Sequence, residues 1–186
     1  MKNVSFIVLF LMLLSSCQQE NELVIPLDSK SVEQRSQNPL PFKATLQSSV
    51  NPGNQLTECS GDIPGFAIPD HFLAGTATLC GRLIESLSTL HHDDCNLSFA
   101  TLTLTTTVSG QLAAANGDLV YYNGEDVIDV SNLLQSLGTT GTIEGIWTIN
   151  GGTGRFEGAS GTLTIDGLVD FVSGTFSADA VGSILY

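Results

Sequence analysis

Glu144, Tyr121 and Thr148 are the residues whose types and positions best suit ligand chemistry in this chain. In the segment 144–150, Glu144, Ile146, Thr148 and Asn150 share one face of an extended strand, and Trp147 and Ile149 share the other with the preceding Ile143 and Gly145. Both faces carry apolar residues, so one is expected to look inward and the other toward a partner subunit or a covering loop. A carboxylate held beside Ile146 in an apolar interior would have a raised pKa and could serve as a general acid or base. On the opposite parity, Glu144 is a solvent-facing residue at a strand end. Tyr121, with Tyr122 and Asp118, adds polar groups near the same interior or its mouth. No Ser–His–Asp set and no carboxylate pair with a local signature is present. A non-catalytic binding role is therefore the first expectation, and an enzyme using one carboxylate the alternative.

His91-His92-Asp93-Asp94-Cys95 gathers five potential metal ligands. Successive side chains on an extended chain point in opposite directions, so few could converge on one ion without His71 or Asp62. A solvated polar turn is the expectation, with no metal and no other cofactor. The run Gly152-Thr153-Gly154-Arg155-Phe156-Glu157-Gly158 has the wrong spacing for a nucleotide loop, and no helix follows it to receive a phosphate.

The elements that must position these groups are strands. Residues 145–167 alternate Thr, Ile, Trp and Phe with glycine-dense breaks, a pattern that suits a β-hairpin and excludes a helix. Residues 42–50, 72–79, 83–90 and 97–108 read as strands, the last as one uninterrupted strand. Residues 51–69, with four prolines or glycines in Pro52-Gly53 and Pro64-Gly65 and a further Pro69, read as a long surface loop bordering an opening. Asn116-Gly117 between apolar runs signals a tight hairpin. Residues 131–141 hold the single candidate helical turn, with Leu133, Leu134 and Leu137 at helical spacing. Strands at this spacing without long helices predict an all-β sandwich or a closed antiparallel barrel.

The front of the chain reads differently. Residues 1–16 have a thin positive start at Lys2 and an apolar run too short to cross a bilayer, which needs about 20 residues. Leu14-Ser15-Ser16-Cys17 resembles the bacterial lipobox, which implies cleavage before Cys17 and acylation of that cysteine, palmitate included. Residues 17–41, rich in Gln, Ser, Asn and charge, read as a flexible tether. Gln18 after the lipid-bearing cysteine resembles outer-membrane sorting, and the acidic residues beyond it resemble surface-export signals. The expected location is the bacterial envelope, as an outer-membrane lipoprotein whose membrane partner is reached through Cys17.

With 6 basic and 19 acidic residues the chain carries a net charge of −13, which argues against nucleic acid. After Lys43 the basic residues are Arg82 and Arg155 alone, which argues against phosphate-rich ligands. Lipidation of Cys17 would leave three cysteines in an oxidising compartment. Cys59 and Cys95 are expected in polar loops and Cys80 inside a strand, so a Cys59–Cys95 disulfide is expected, the alternative being three free thiols.

Ala113-Ala114-Ala115-Asn116-Gly117-Asp118, the run from Gly151 to Gly161, and the closing Gly182-Ser183-Ile184-Leu185-Tyr186 together resemble bacterial relatives of the allene oxide cyclase and dirigent proteins. Those families have a similar GGTG-x-F-x-GA-x-G element in an eight-stranded antiparallel barrel. The resemblance spans residues 42–186. Gly75-Thr76-Ala77-Thr78-Leu79-Cys80-Gly81 is similar to a segment reading G-x-A-T-H-L-G, with Leu79 in place of the histidine. The resemblance implies a closed antiparallel eight-stranded barrel whose interior holds a small apolar or phenolic ligand, and it carries no catalytic residue across. The alternatives are an isomerase or cyclase acting by ligand confinement and a non-catalytic structural surface protein.

Overall fold

The computed structural model describes residues 38–53 and 56–186. The expected signal segment 1–16, the expected lipidation at Cys17 and the expected tether up to residue 37 lie outside the described residues. Among the described residues the strands are β1 (Leu40–Val50), β2 (Thr57–Glu58), β3 (Ser60–Gly61), β4 (Ala67–Ile68), β5 (His71–Ala77), β6 (Gly81–Arg82), β7 (Thr89–Ser98), β8 (Thr103–Ala113), β9 (Leu119–Asp129), β10 (Thr140–Gly152), β11 (Ser160–Asp170) and β12 (Thr175–Leu185). One short helix, α1 (Ser131–Ser136), and two single 3₁₀ turns, Glu85–Leu87 and Gly154–Phe156, complete the set.

Period-two burial explains the strands. In β1, Phe42, Ala44 and Leu46 are buried while Pro41, Lys43, Thr45 and Gln47 face solvent. In β8 the same alternation buries Leu104, Thr106 and Val108, and in β12 Phe176, Ala178 and Ala180. Adjacent long strands pair antiparallel, from β7 through β8, β9, β10, β11 and β12 to β1 and then β5. The short pairing His71↔Leu90 and Phe72↔Thr89 joins β5 back to β7, and the N–H of Leu73 donates to the carbonyl of Ser88 at 2.9 Å. The sheet thereby runs as a ring of eight strands, joined between β5 and β7 by this short pairing.

The Asn116-Gly117 hairpin joins β8 to β9, with Gly117 at φ 90°. The expected strand over 83–90 is instead a 3₁₀ turn at Glu85–Leu87, and Ser88, buried, bonds back to Ile84 before β7 begins. The expected single strand over 97–108 is broken: β7 ends at Ser98, and a turn with Leu102 at φ 56° reverses the chain into β8. His91–Cys95, expected as a polar turn, lies within β7, where the register shifts between His92 and Asp94. Asp93 and Asp94 are exposed, His91 meets Asp70 and His92 turns toward the interior, so the polarity that suggests a turn is accommodated in a strand.

Two apolar clusters fill the ring. The larger, around Phe42, Leu46, Leu112, Trp147, Phe156 and Leu163, packs the end where β1 begins and β12 ends. The smaller, around Leu97, Leu104, Ile128, Val130 and Ile143, sits at the opposite end beneath residues 56–69, where Phe66 and Ile68 pack on it. A band containing Asp126, Thr106 and His71 lies among the buried residues.

Candidate ligand-binding cavity

Strand parity decides which polar groups turn inward. In β9, Val120, Tyr122, Asp126 and Ile128 are buried, so the two-residue period carries Asp126 into the interior at 1 % exposure. Its cross-strand partners are Thr106 on β8 and Gly145 on β10. A Cβ on Gly145 would overlap the Asp126 carboxylate, so the absent side chain is what makes room for it. Trp147, two residues along β10, donates its indole N–H to Asp126 Oδ1 at 2.9 Å. Burial pushes the Asp126 pKa up to about 6, partly offset by the Trp147 hydrogen bond. Tyr122 stacks on Trp147 with ring centroids 4.3 Å apart and planes within 4° of parallel, and its hydroxyl donates to the carbonyl of Thr89 at 2.9 Å. Burial and the nearby Asp126 charge raise the Tyr122 phenol well above its ordinary range.

Two histidines stand on β5 and β7, where the ring joins. His71, on β5, meets His92, on β7, edge to face at 5.7 Å, and its other side meets Phe176 at 5.6 Å. The Nδ1 atoms of both are buried without a hydrogen-bond partner. Burial lowers the pKa of His71, and burial together with the neighbouring His71 and His91 pushes that of His92 down to about 4, so both rings are neutral at physiological pH. His91 points the other way and meets Asp70 Oδ2 through Nδ1 at 2.7 Å, while Asp70 Oδ1 accepts the backbone N–H of His92 at 2.9 Å.

Asp126, His71 and His92 line one cavity of about 290 Å³, walled mainly by apolar side chains including Leu90, Ile128, Ile143, Phe171 and Phe176. Ile63, Phe66 and Ile68 from the segment 56–69 cover it on one side, and Leu133 and Leu134 of α1 border another. The cover is held to β7 at several points. The Cys59–Cys95 disulfide joins them, as expected from the sequence, and Thr57 Oγ1 donates to the carbonyl of His92 at 2.6 Å. The N–H of Asp62 donates to the carbonyl of Leu97 at 2.9 Å, and β3 runs parallel to β7.

The residues singled out from the sequence fall elsewhere. Glu144 and Thr148 are exposed on the outer face of β10, Glu144 in a shallow groove with Thr103, Asp129 and Thr142. Tyr121 is half-buried on the outer parity of β9, beside Gly151. The inward face of β10 belongs to Ile143, Trp147 and Ile149. Burying an indole and two branched chains outweighs burying Ile146 with a carboxylate, at about 1.5–3 kcal/mol per large apolar side chain. Asp118 sits near the other end of the ring, 3.8 Å from Arg155 Nε, and Arg155 also donates to the carbonyl of Leu79. Cys80 is a buried free thiol whose pKa burial raises to about 11. Among the described residues no three His, Cys, Asp or Glu side chains gather as a metal site requires. The interior acid, Asp126, and the two wall histidines were not singled out as a ligand-binding group from the sequence. The parity of Tyr122 and Ile128 was the available signal for Asp126.

The chain matches no protein-family model, no curated protein and no solved structure.

Proposed function

We propose that this chain is a lipid-anchored protein of the bacterial envelope, reaching the outer membrane through Cys17. In this reading the eight-stranded ring is a closed antiparallel barrel of the allene oxide cyclase and dirigent kind, displayed as a binding module for a small apolar or phenolic ligand. The observation that carries the binding role is the cavity of about 290 Å³ beneath the disulfide-held cover, with apolar walls and a few convergent polar groups. The lipobox-like Leu14-Ser15-Ser16-Cys17 supports the anchor. Native mass spectrometry of the full protein released from membranes in detergent tests both parts. A lipid mass on the N-terminal peptide and a co-purifying small molecule are expected. An unmodified Cys17 would remove the anchor, and failure of every apolar probe to bind would remove the module.

A second reading is an isomerase or cyclase that confines its substrate, and the buried Asp126 carboxyl beside the cavity favours it over a purely structural role. Asp126 replaces Glu144 as the acid–base group in that reading, because Glu144 faces solvent. Asp126→Asn would then abolish turnover while ligand binding persists; unchanged turnover would discard it.

A further inference from the structure

The cavity is electrically one-sided. Asp126 is almost wholly buried, and Trp147 Nε1–H is its hydrogen-bond donor from the neighbouring strand. No lysine or arginine is among the residues lining the cavity. Arg82 is exposed on the short β6, and Arg155 is engaged with Asp118 and the Leu79 carbonyl. The wall imidazoles do not supply the missing cation. His71 and His92 are desolvated and stay neutral, each with an unpartnered Nδ1. The phenyl rings of Phe66, Phe171 and Phe176 line the same cavity. Aromatic faces attract a desolvated cation, and a buried carboxylate without a counter-ion is stabilised by one.

We propose that the cavity takes a small apolar amine, its ammonium paired with Asp126 and its hydrocarbon or aryl body against Phe66, Phe171 and Phe176. This rests on the cavity being the binding site proposed above and specifies the head group that site prefers. An ammonium brings both the opposite charge and hydrogen-bond donors. A neutral hydroxyl brings a donor and leaves the charge uncompensated. A carboxylate brings a second negative charge into a low-dielectric space with no base to meet it.

The test uses the intact protein and three probes that share one bicyclic body: naphthylmethylamine, naphthalenemethanol and naphthoate, titrated calorimetrically near pH 8, where a free alkylamine is still largely protonated. The amine is expected to bind at least about tenfold more tightly than the alcohol, and the carboxylate to show no measurable binding. In Asp126→Asn the advantage of the amine should vanish, leaving amine and alcohol within about twofold. Alcohol binding equal to or tighter than amine binding overturns the amine assignment and leaves the binding module standing. Naphthoate binding at the strength of the amine overturns it too, as does an amine advantage that survives in Asp126→Asn. Failure of all three probes removes the binding module and the amine with it. The ranking in the unaltered protein decides the matter even if the variant does not fold.

Discussion

Asp126→Asn keeps the size and shape of the side chain and leaves an oxygen to accept from Trp147, but removes a titrating group from the interior. The folded protein holds the Asp126 proton to about pH 6, against 3.8 for the unconstrained group. Between those values the native state binds more protons than the unfolded state, so this group's contribution to stability is fully present below about pH 4 and is lost as pH rises through 6. A difference of about two pKa units at 1.36 kcal/mol each makes the contribution about 3 kcal/mol. Asp126 is 1 % exposed, so solvent screening takes little from it. His92 acts with the opposite sign. Its pKa falls from 6.5 to about 4, so its contribution is present above 6.5 and is lost as pH drops toward 4. His71, whose pKa is also lowered, adds to the His92 contribution, so the unaltered protein's profile mixes opposing contributions. The difference between variant and unaltered protein cancels the histidines, which both contain. Urea unfolding followed by the fluorescence of Trp147, the chain's one tryptophan, should show the variant gaining about 3 kcal/mol relative to the unaltered protein between about pH 4 and pH 7. A difference that does not change with pH, or that falls, would refute the desolvated, cation-free carboxyl on which the cavity reading depends.

Three further outcomes follow from the same structure. Gly145→Ala, which drives a methyl group into the Asp126 carboxylate and the Glu125 carbonyl, should lower stability by about 1–3 kcal/mol in denaturant titrations. Glu144→Gln, on the exposed outer face, should change stability by less than about 0.5 kcal/mol and leave the affinity of any cavity ligand unaltered in calorimetry. Replacing Cys59 and Cys95 together by serine opens a loop of 36 residues and should cost up to about 4 kcal/mol in the chain-entropy description. In that variant, limited proteolysis should cut first within residues 56–69, and unaltered protease resistance there would show that the disulfide does not hold the cover.

Much of the strand pattern is written locally. The alternation around Phe42, Ala44 and Leu46 specifies a half-buried strand wherever the chain goes, because side chains on a pleated backbone take opposite sides. Asn116-Gly117 specifies a reversal for the same kind of local reason, glycine meeting a positive φ without strain. The pairing of Cys59 with Cys95 was also legible, but the placement behind it was not: Cys95 lies within strand β7, and Cys80 lies in the turn between β5 and β6. Segment 97–108 misled because Thr and Leu favour extended backbone on both sides of a turn, and the break at Leu102 carries no glycine or proline to announce it.

The site itself is another matter. In β10 both parities hold apolar residues, so alternation defines two faces without saying which one is inside. That choice was made when Trp147 stacked on Tyr122 of the adjacent strand, which sends Glu144 to the surface. Asp126 becomes a buried acid only because register sets it across from Gly145 and within reach of the Trp147 indole, relationships between residues about 20 apart in the chain. His71 and His92 meet where two strands close the ring, and a disulfide lays the cover beside them. Backbone preference acts over a few neighbouring residues and can be read along the chain. Desolvation and charge balance depend on everything within a few ångströms in space, and only the assembled ring brings those groups together.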